Sequence, residues 1–270
     1  MVRKFGLVIT LLTAVLTAGG QEKYRLVTDV PYYEESERQR DAYLSERCKL
    51  DIYYPAKASG VATIVWFHGG GLTCGQKFFP QELKERGYCL VAVNYRLSPK
   101  AKCPAYIEDA AAAVAWVFRN IDKYGGSAER IFVAGHSAGA YLTGMLGLDR
   151  KWLQQRHVDA DSIKALFILS ATAITHYTIR NERGIPDTQP LIDEFALTYN
   201  IRPNTPPVFL MTGDRELEMA GRYEENAYLW RMMKVIGNKR TTLYEFDGYG
   251  HDMTAPAFPL MLKHIREINK

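Results

Sequence analysis

The residues best able to do chemistry lie in Gly135-His136-Ser137-Ala138-Gly139. A serine hydroxyl becomes a useful nucleophile when it is lifted off its scaffold and set within reach of a base. Glycine two residues to either side permits a turn too tight for side chains, with the hydroxyl at its apex. The flanking sequence suits such a turn. Arg130 to Ala134 is a short apolar, β-branched run that reads as a buried strand, and Ala140 to Leu146 reads as the opening of a helix. The chemistry to expect is acyl transfer through a covalent intermediate, and that requires three further parts.

The first part is a set of donors for the oxygen that turns anionic when the carbonyl is attacked. His68-Gly69-Gly70-Gly71 follows the apolar run Val61 to Phe67. Its glycines let main-chain N–H groups come close to a reacting oxygen, and the amides of Gly70, Gly71 and Ala138 are the expected donors. A phosphate loop would need a Gly-Lys-Ser/Thr ending or a Gly-x-Gly-x-x-Gly pattern, and neither follows here. The second part is a base. His251 sits in Asp247-Gly248-Tyr249-Gly250-His251-Asp252, between the last strand-like and the last helix-like stretch. His264 lies in the terminal helix and His157 and His176 in polar stretches, whereas His68 and His136 read as scaffolding beside the chemistry. The third part is a carboxylate to orient the histidine. Gly213-Asp214-Arg215-Glu216-Leu217-Glu218 supplies three candidates. Glu216 is the expected acid and Asp214 the alternative, with Glu218 read as solvated loop charge. His136 and Tyr249 are the expected substrate contacts, and Trp66, Phe78 and Tyr141 also lie near the site in sequence. The cysteine spacings do not form a zinc pattern, and the chemistry requires no metal or organic cofactor.

These parts need a scaffold. Leu50 to Pro55, Val61 to Phe67, Tyr88 to Tyr95, Ile163 to Ser170, Pro207 to Gly213 and Thr241 to Phe246 read as strands. Helical stretches alternate with them: Gln81 to Arg86, Pro104 to Tyr124, the segment after Ser137, Arg222 to Val235 and Ala257 to Asn269. That alternation predicts an α/β fold, with a mostly parallel sheet covered by helices on both faces. Residues 21–47 read as a peripheral arm, and 171–206 as a loop-rich insertion before the acid-bearing strand. Residues 21–270 are expected to form one domain. Arg96 and Asp109 read as a structural ion pair holding the long helix to the sheet.

The order serine, acid, histidine, with the glycine loop earlier, is that of the α/β-hydrolases. The chain resembles the hormone-sensitive-lipase-like esterases and the small acetylesterase and feruloyl-esterase-like branch of that fold. The resemblance rests on His68 to Gly71, Asn94 to Pro99, Pro104-Ala105 with Asp109, Tyr124 to Gly126, Gly135 to Gly139 and Gly248 to His251. It implies a serine hydrolase using Ser137, His251 and a carboxylate three residues beyond Gly213, with Gly70, Gly71 and Ala138 as oxyanion donors. Two departures stand out. Glu216 occupies the place of the family's usual aspartate, and His136 precedes the nucleophile as in the acetylesterase and formamidase-like branch. The resemblance points to short acyl esters, including acetyl groups on carbohydrates. An amide hydrolase and a non-catalytic binding protein are the competing readings on the same fold.

Composition sets outer bounds. A hydrophobic share of 47% in 270 residues supports a large core, and a net charge of +4 with two basic residues at positions 3 and 4 argues against a nucleic-acid partner. Arg3-Lys4, the apolar run Phe5 to Leu16 and the small residues Ala18 to Gly20 read as a signal peptide over residues 1–20. The run is short of the roughly twenty apolar residues a membrane span needs. Export to the periplasm or beyond is therefore expected, with no stable span after cleavage. Four cysteines in an exported chain permit disulfides, but no pairing follows from their positions.

Overall fold

A computed structural model describes residues 23–270; the expected signal peptide lies outside the described residues. Among the described residues eight strands form one sheet: β1 (Tyr24–Pro31), β2 (Lys49–Pro55), β3 (Val61–Phe67), β4 (Cys89–Val93), β5 (Gly126–His136), β6 (Ala165–Leu169), β7 (Val208–Gly213) and β8 (Thr241–Phe246). Their order is β1-β2-β4-β3-β5-β6-β7-β8. β1 and β2 run antiparallel to their neighbours, and all pairs from β4 to β8 are parallel. The helices are α1 (Glu35–Arg38), α2 (Ala42–Arg47), α3 (Ala105–Asn120), α4 (Ala138–Leu148), α5 (Lys151–Gln154), α6 (Tyr177–Glu182), α7 (Arg222–Val235) and α8 (Thr254–Ile268).

The middle of the sheet is buried on both faces, and β3 shows how its sequence serves them. Val65 and Phe67 enter one core with Ala110, Val114, Leu142 and Met145 of α3 and α4. The alternate residues Ile64 and Trp66 enter the other, with Phe258, Met261 and Ile265 of α8. A strand that is apolar at every position is what two covered faces demand. Every residue of α4 is buried, so the helix behind Ser137 is a core element.

After β3 the chain adds β4 on one side and then crosses to add β5 on the other. Ligands of open α/β sheets bind where strand order reverses in this way, beyond the carboxyl ends of the strands. His68, Ser137, Ser170, Asp214 and Asp247 all lie just past the carboxyl ends of their strands, along that one edge.

The amino-terminal region departs from expectation. Residues 21–47 are more than an arm, because β1 pairs with β2 and closes the sheet's edge. Half of β1 is exposed and none of it is buried, and a strand without a buried face carries no clean alternation to read. The expected helix at Gln81 is a single 3-10 turn, Gln81–Leu83. The insertion 171–206 holds α6 and buries Thr172, Thr175, His176 and Thr178. Arg96 and Asp109 pair as expected. Arg96 Nη2 lies 2.8 Å from Asp109 Oδ1, and the Tyr33 hydroxyl donates to the same carboxylate at 2.7 Å. All four cysteines are free thiols, and no helix among the described residues is long and apolar enough to cross a membrane.

Candidate active site

Ser137 stands between β5 and α4 with φ 55° and ψ −116°, a left-handed conformation that a non-glycine residue adopts only under local constraint. Its neighbours supply the constraint. A Cβ on Gly135 would overlap the backbone of Gly139, and one on Gly139 would overlap the carbonyl of Phe67. Both glycines are thus required by the close approach of helix to strand. The Ser137 N–H donates to the Leu169 carbonyl at 2.8 Å, tying the turn to β6. Ser137 Oγ has no hydrogen-bond partner among the described residues.

The glycine loop abuts this turn, with the position of a Gly69 Cβ only 3.3 Å from Ser137 Cβ. Gly70 and Gly71 have φ of 109° and 62°, and the Gly70 carbonyl accepts from the N–H groups of Thr73 and Cys74, both at 3.0 Å. The N–H groups of Gly70, Gly71 and Ala138 have no partner among the described residues, which leaves them free to bind an anionic oxygen. Side chains brace the loop from behind. The Tyr95 hydroxyl donates to the His68 carbonyl at 2.8 Å, and Arg47 donates to the Gly75 carbonyl at 2.6 Å. Thr178 donates to the Gly71 carbonyl. Burial lowers the pKa of His68 to about 4, so it is a neutral strut.

His251 is reached by residues on both sides of Ser137. His136 Nε2 donates to the His251 carbonyl at 2.8 Å, and the two imidazole rings lie 4.8 Å apart. Burial, ahead of every other influence, lowers the pKa of His136. On the other side, Ser170 Oγ lies 2.9 Å from His251 Nδ1.

The carboxylate that meets His251 is Glu218, not Glu216 or Asp214. Glu218 Oε1 is 2.6 Å from His251 Nδ1, and its side chain is closed to solvent at 0% exposure. Burial would raise its pKa, but hydrogen bonds from His251 and from the N–H groups of Met219 and Gly213 outweigh that and hold it at about 2. The correction has a simple geometric cause. Residues after β7 form a helical turn in which the Asp214 carbonyl accepts from the Leu217 and Glu218 N–H groups at 3.0 and 2.8 Å. Glu218, one turn on, folds back over Gly213, whose N–H it accepts at 3.1 Å. Asp214 shapes the loop instead, accepting from the N–H groups of Glu216 at 2.9 Å and Gly248 at 3.0 Å. Glu216 is exposed. An Asp opening a turn, with an acid four residues later, was the available signal.

Beside the turn opens a cleft of about 350 Å³ lined by Trp66, Gly69, Phe78, His136, Asp252 and Phe258 among others. His136 thus stands in its wall. Tyr249 does not line it: its carbonyl accepts the Asp214 N–H at 2.7 Å and the residue is 43% exposed.

A mostly parallel sheet, a strained serine between strand and helix, and a glycine loop beside it define the architecture. The chain has the α/β-hydrolase fold. The BD-FAE family profile matches residues 50–165, from β2 through Ser137 to the start of β6. The chain is 32% identical over 151 residues to a probable isoprenylcysteine alpha-carbonyl methylesterase of Oryza sativa subsp. japonica, covering 52% of this chain and 36% of that protein. It is 30% identical over 186 residues to the kynurenine formamidase of Danio rerio, covering 66% and 53%. The chain therefore spans about a third to a half of the length of these relatives. A truncated carbohydrate esterase from gut microbiota shares the fold with a TM-score of 0.74 at 17% identity, covering 91% of this chain and 97% of that one.

Proposed function

We propose that this chain is a serine carboxylic ester hydrolase acting on short acyl esters, acetyl groups on carbohydrates foremost, by way of an acyl-enzyme. The observation that carries the reading is the buried Glu218 carboxylate on His251 Nδ1, beside a serine held on a strained turn. With Glu218 ionised, Nδ1 carries the proton and Nε2 has its lone pair free for the Ser137 hydroxyl. Substrate binding brings Nε2 and Ser137 Oγ together, as hydrogen bonds in resting sites often tighten only in the complex. His251 takes the hydroxyl proton as Oγ bonds to the carbonyl carbon, and the N–H groups of Gly70, Gly71 and Ala138 hold the oxyanion. Collapse breaks the ester bond, and the departing alkoxide takes the proton from Nε2. Water, deprotonated by the same nitrogen, then cleaves the acyl-enzyme and releases the acid with Ser137 restored.

The cleft supports the substrate class. Aromatic walls at Trp66, Phe78 and Phe258 suit the apolar face of a sugar ring, and Gln81, Glu82, Asp252 and Thr254 offer hydrogen bonds to hydroxyls. The carbohydrate esterase likeness and several acetyl esterase relatives point the same way. Residues 1–20 carry the case for export, to the periplasm or outside the cell, where such glycans are met. A second reading, hydrolysis of a formyl amide, is favoured by the kynurenine formamidase relative, whose match covers 66% of this chain.

The test is a panel of acetyl to decanoyl nitrophenyl esters, acetylated oligosaccharides and formyl anilides, with fluorophosphonate labelling. Turnover highest on acetyl substrates, lost along with labelling in a folded Ser137→Ala variant, is the expected result. Wild-type protein that neither labels nor turns over any ester or amide refutes the proposal.

A further inference from the structure

Ser170 lies beyond β6, far in sequence from every catalytic segment. It is fully buried and has φ 55°, the same left-handed value as the nucleophile. Nothing in the packing of an ordinary strand end asks for a strained, buried serine. Its hydroxyl lies 2.9 Å from Glu218 Oε2 and 2.9 Å from His251 Nδ1. Glu218 is ionised and can only accept, so the Ser170 proton points to Oε2 and an oxygen lone pair faces the Nδ1 proton. That proton is shared between Glu218 Oε1 at 2.6 Å and Ser170 Oγ at 2.9 Å.

The backbone of the same segment is equally committed. The Ser170 N–H donates to the Met211 carbonyl at 2.7 Å, and the preceding Leu169 carbonyl accepts the Ser137 N–H. On the far side α7 grips the chain at helical spacing. Arg222 donates to the Ser170 carbonyl, Glu225 accepts the Ala173 N–H at 2.8 Å, and Asn226 donates to the Ala171 carbonyl at 2.7 Å. One dipeptide, Leu169-Ser170, therefore touches the nucleophile's backbone, the imidazole and the carboxylate.

We infer that Ser170 is a positioning residue for the acyl-transfer reaction, whose hydroxyl locks the His251 ring and the Glu218 carboxylate into one plane of approach to Ser137. The inference rests on the hydrolase reading above. Ser170 touches no substrate; it acts by denying the imidazole alternative rotations and by completing the hydrogen bonds of the buried carboxylate. Losing a hydrogen bond to a buried charged group corresponds to about 10- to 100-fold in an equilibrium or a rate.

Two substitutions separate positioning from packing. Ser170→Ala removes the hydroxyl at constant backbone strain, and Ser170→Gly removes it while relieving the left-handed φ. Both variants are expected to lose about 10- to 100-fold in kcat on nitrophenyl acetate with KM within twofold of wild type. The Gly variant is expected to melt no lower than the Ala variant. The downfield proton resonance of His251 Nδ1–H should shift in both, although neither substitution alters His251 or Glu218. Variants with wild-type kcat, or an Nδ1–H resonance that does not move, overturn the inference while leaving an active wild type as a hydrolase. A wild type inert toward every acyl donor overturns the hydrolase reading and the inference together.

Discussion

The sharpest test of the site is Glu218→Gln compared with Glu216→Gln. Glu218 receives four donors: His251 Nδ1–H and the Met219 N–H on Oε1, and the Ser170 hydroxyl and Gly213 N–H on Oε2. A glutamine has one acceptor oxygen and one NH2 group. If the NH2 faces His251, Nδ1 must accept, the ring proton moves to Nε2, and no base remains for Ser137. If it faces the other way, it meets the Gly213 N–H, a donor that cannot reverse. The side chain is closed to solvent, so water cannot repair either mismatch. The corresponding acid-to-amide change in the serine protease triad lowers kcat by about 10,000-fold. Glu218→Gln should lose about 1,000- to 10,000-fold, and Glu216→Gln about twofold or less. Stability gives a second, independent measurement. The folded pKa of about 2 lies below the ordinary 4.5, so ionised Glu218 contributes stability that is complete above about pH 4.5 and is lost as pH falls toward 2. Between pH 5 and pH 3 the wild type should therefore lose more unfolding free energy than Glu218→Gln, measured by urea titration. Steady-state kinetics on nitrophenyl acetate decide the main point. A Glu218→Gln variant keeping a tenth of wild-type kcat, or a Glu216→Gln variant falling with it, would refute the assignment.

Two further outcomes follow from the same structure. Asp109 is fully buried and receives Arg96 and the Tyr33 hydroxyl, so Asp109→Asn should lower the free energy of urea unfolding by about 3 kcal/mol, and a loss under 1 kcal/mol would contradict a structural role for this pair. Among the described residues the cleft has Glu82 and Asp252 in its lining and no lysine or arginine, so an acetylated neutral sugar should show a several-fold lower KM than an acetylated uronate; Asp252→Asn with Glu82→Gln should narrow that gap, read by acetate release.

What could be read in the sequence divides along physical lines. Strands β3 to β7 and the Ser137 turn were legible because both faces of the sheet are buried there, and an unbroken apolar run such as Val61 to Phe67 has few other uses. The glycines at 135 and 139 were legible for a related reason: backbone occupies the space a side chain would need. β1 was not, since its exposed faces place no demand on residue type. The carboxylate that meets His251 was not legible because three carboxylates within five residues differ only in which way a short helical turn aims them. That aim depends on the Asp214 carbonyl accepting from Glu218, a contact with no compositional trace. Ser170 left still less trace, as a serine at a strand end is ordinary until its neighbours are known.

The two left-handed serines suggest why these parts are arranged as they are. Ser137 and Ser170 follow parallel neighbours in register, with His136 paired to Leu169, so their side chains leave the same edge of the sheet side by side. Each departs from strand geometry in the same unfavourable sense, at a conformational cost of order 1–3 kcal/mol. A catalytic group on a mobile loop would avoid that cost and lose its fixed direction. Here the buried body of helix α4 holds the first turn and the side chains of α7 hold the second, so the strain is supported by packing beyond the residues placed at the reacting atoms. Loosening α7 at Arg222 or Asn226 should therefore reach the imidazole through Ser170 before it reaches the nucleophile, because α4 and the Leu169 carbonyl continue to hold Ser137 in place.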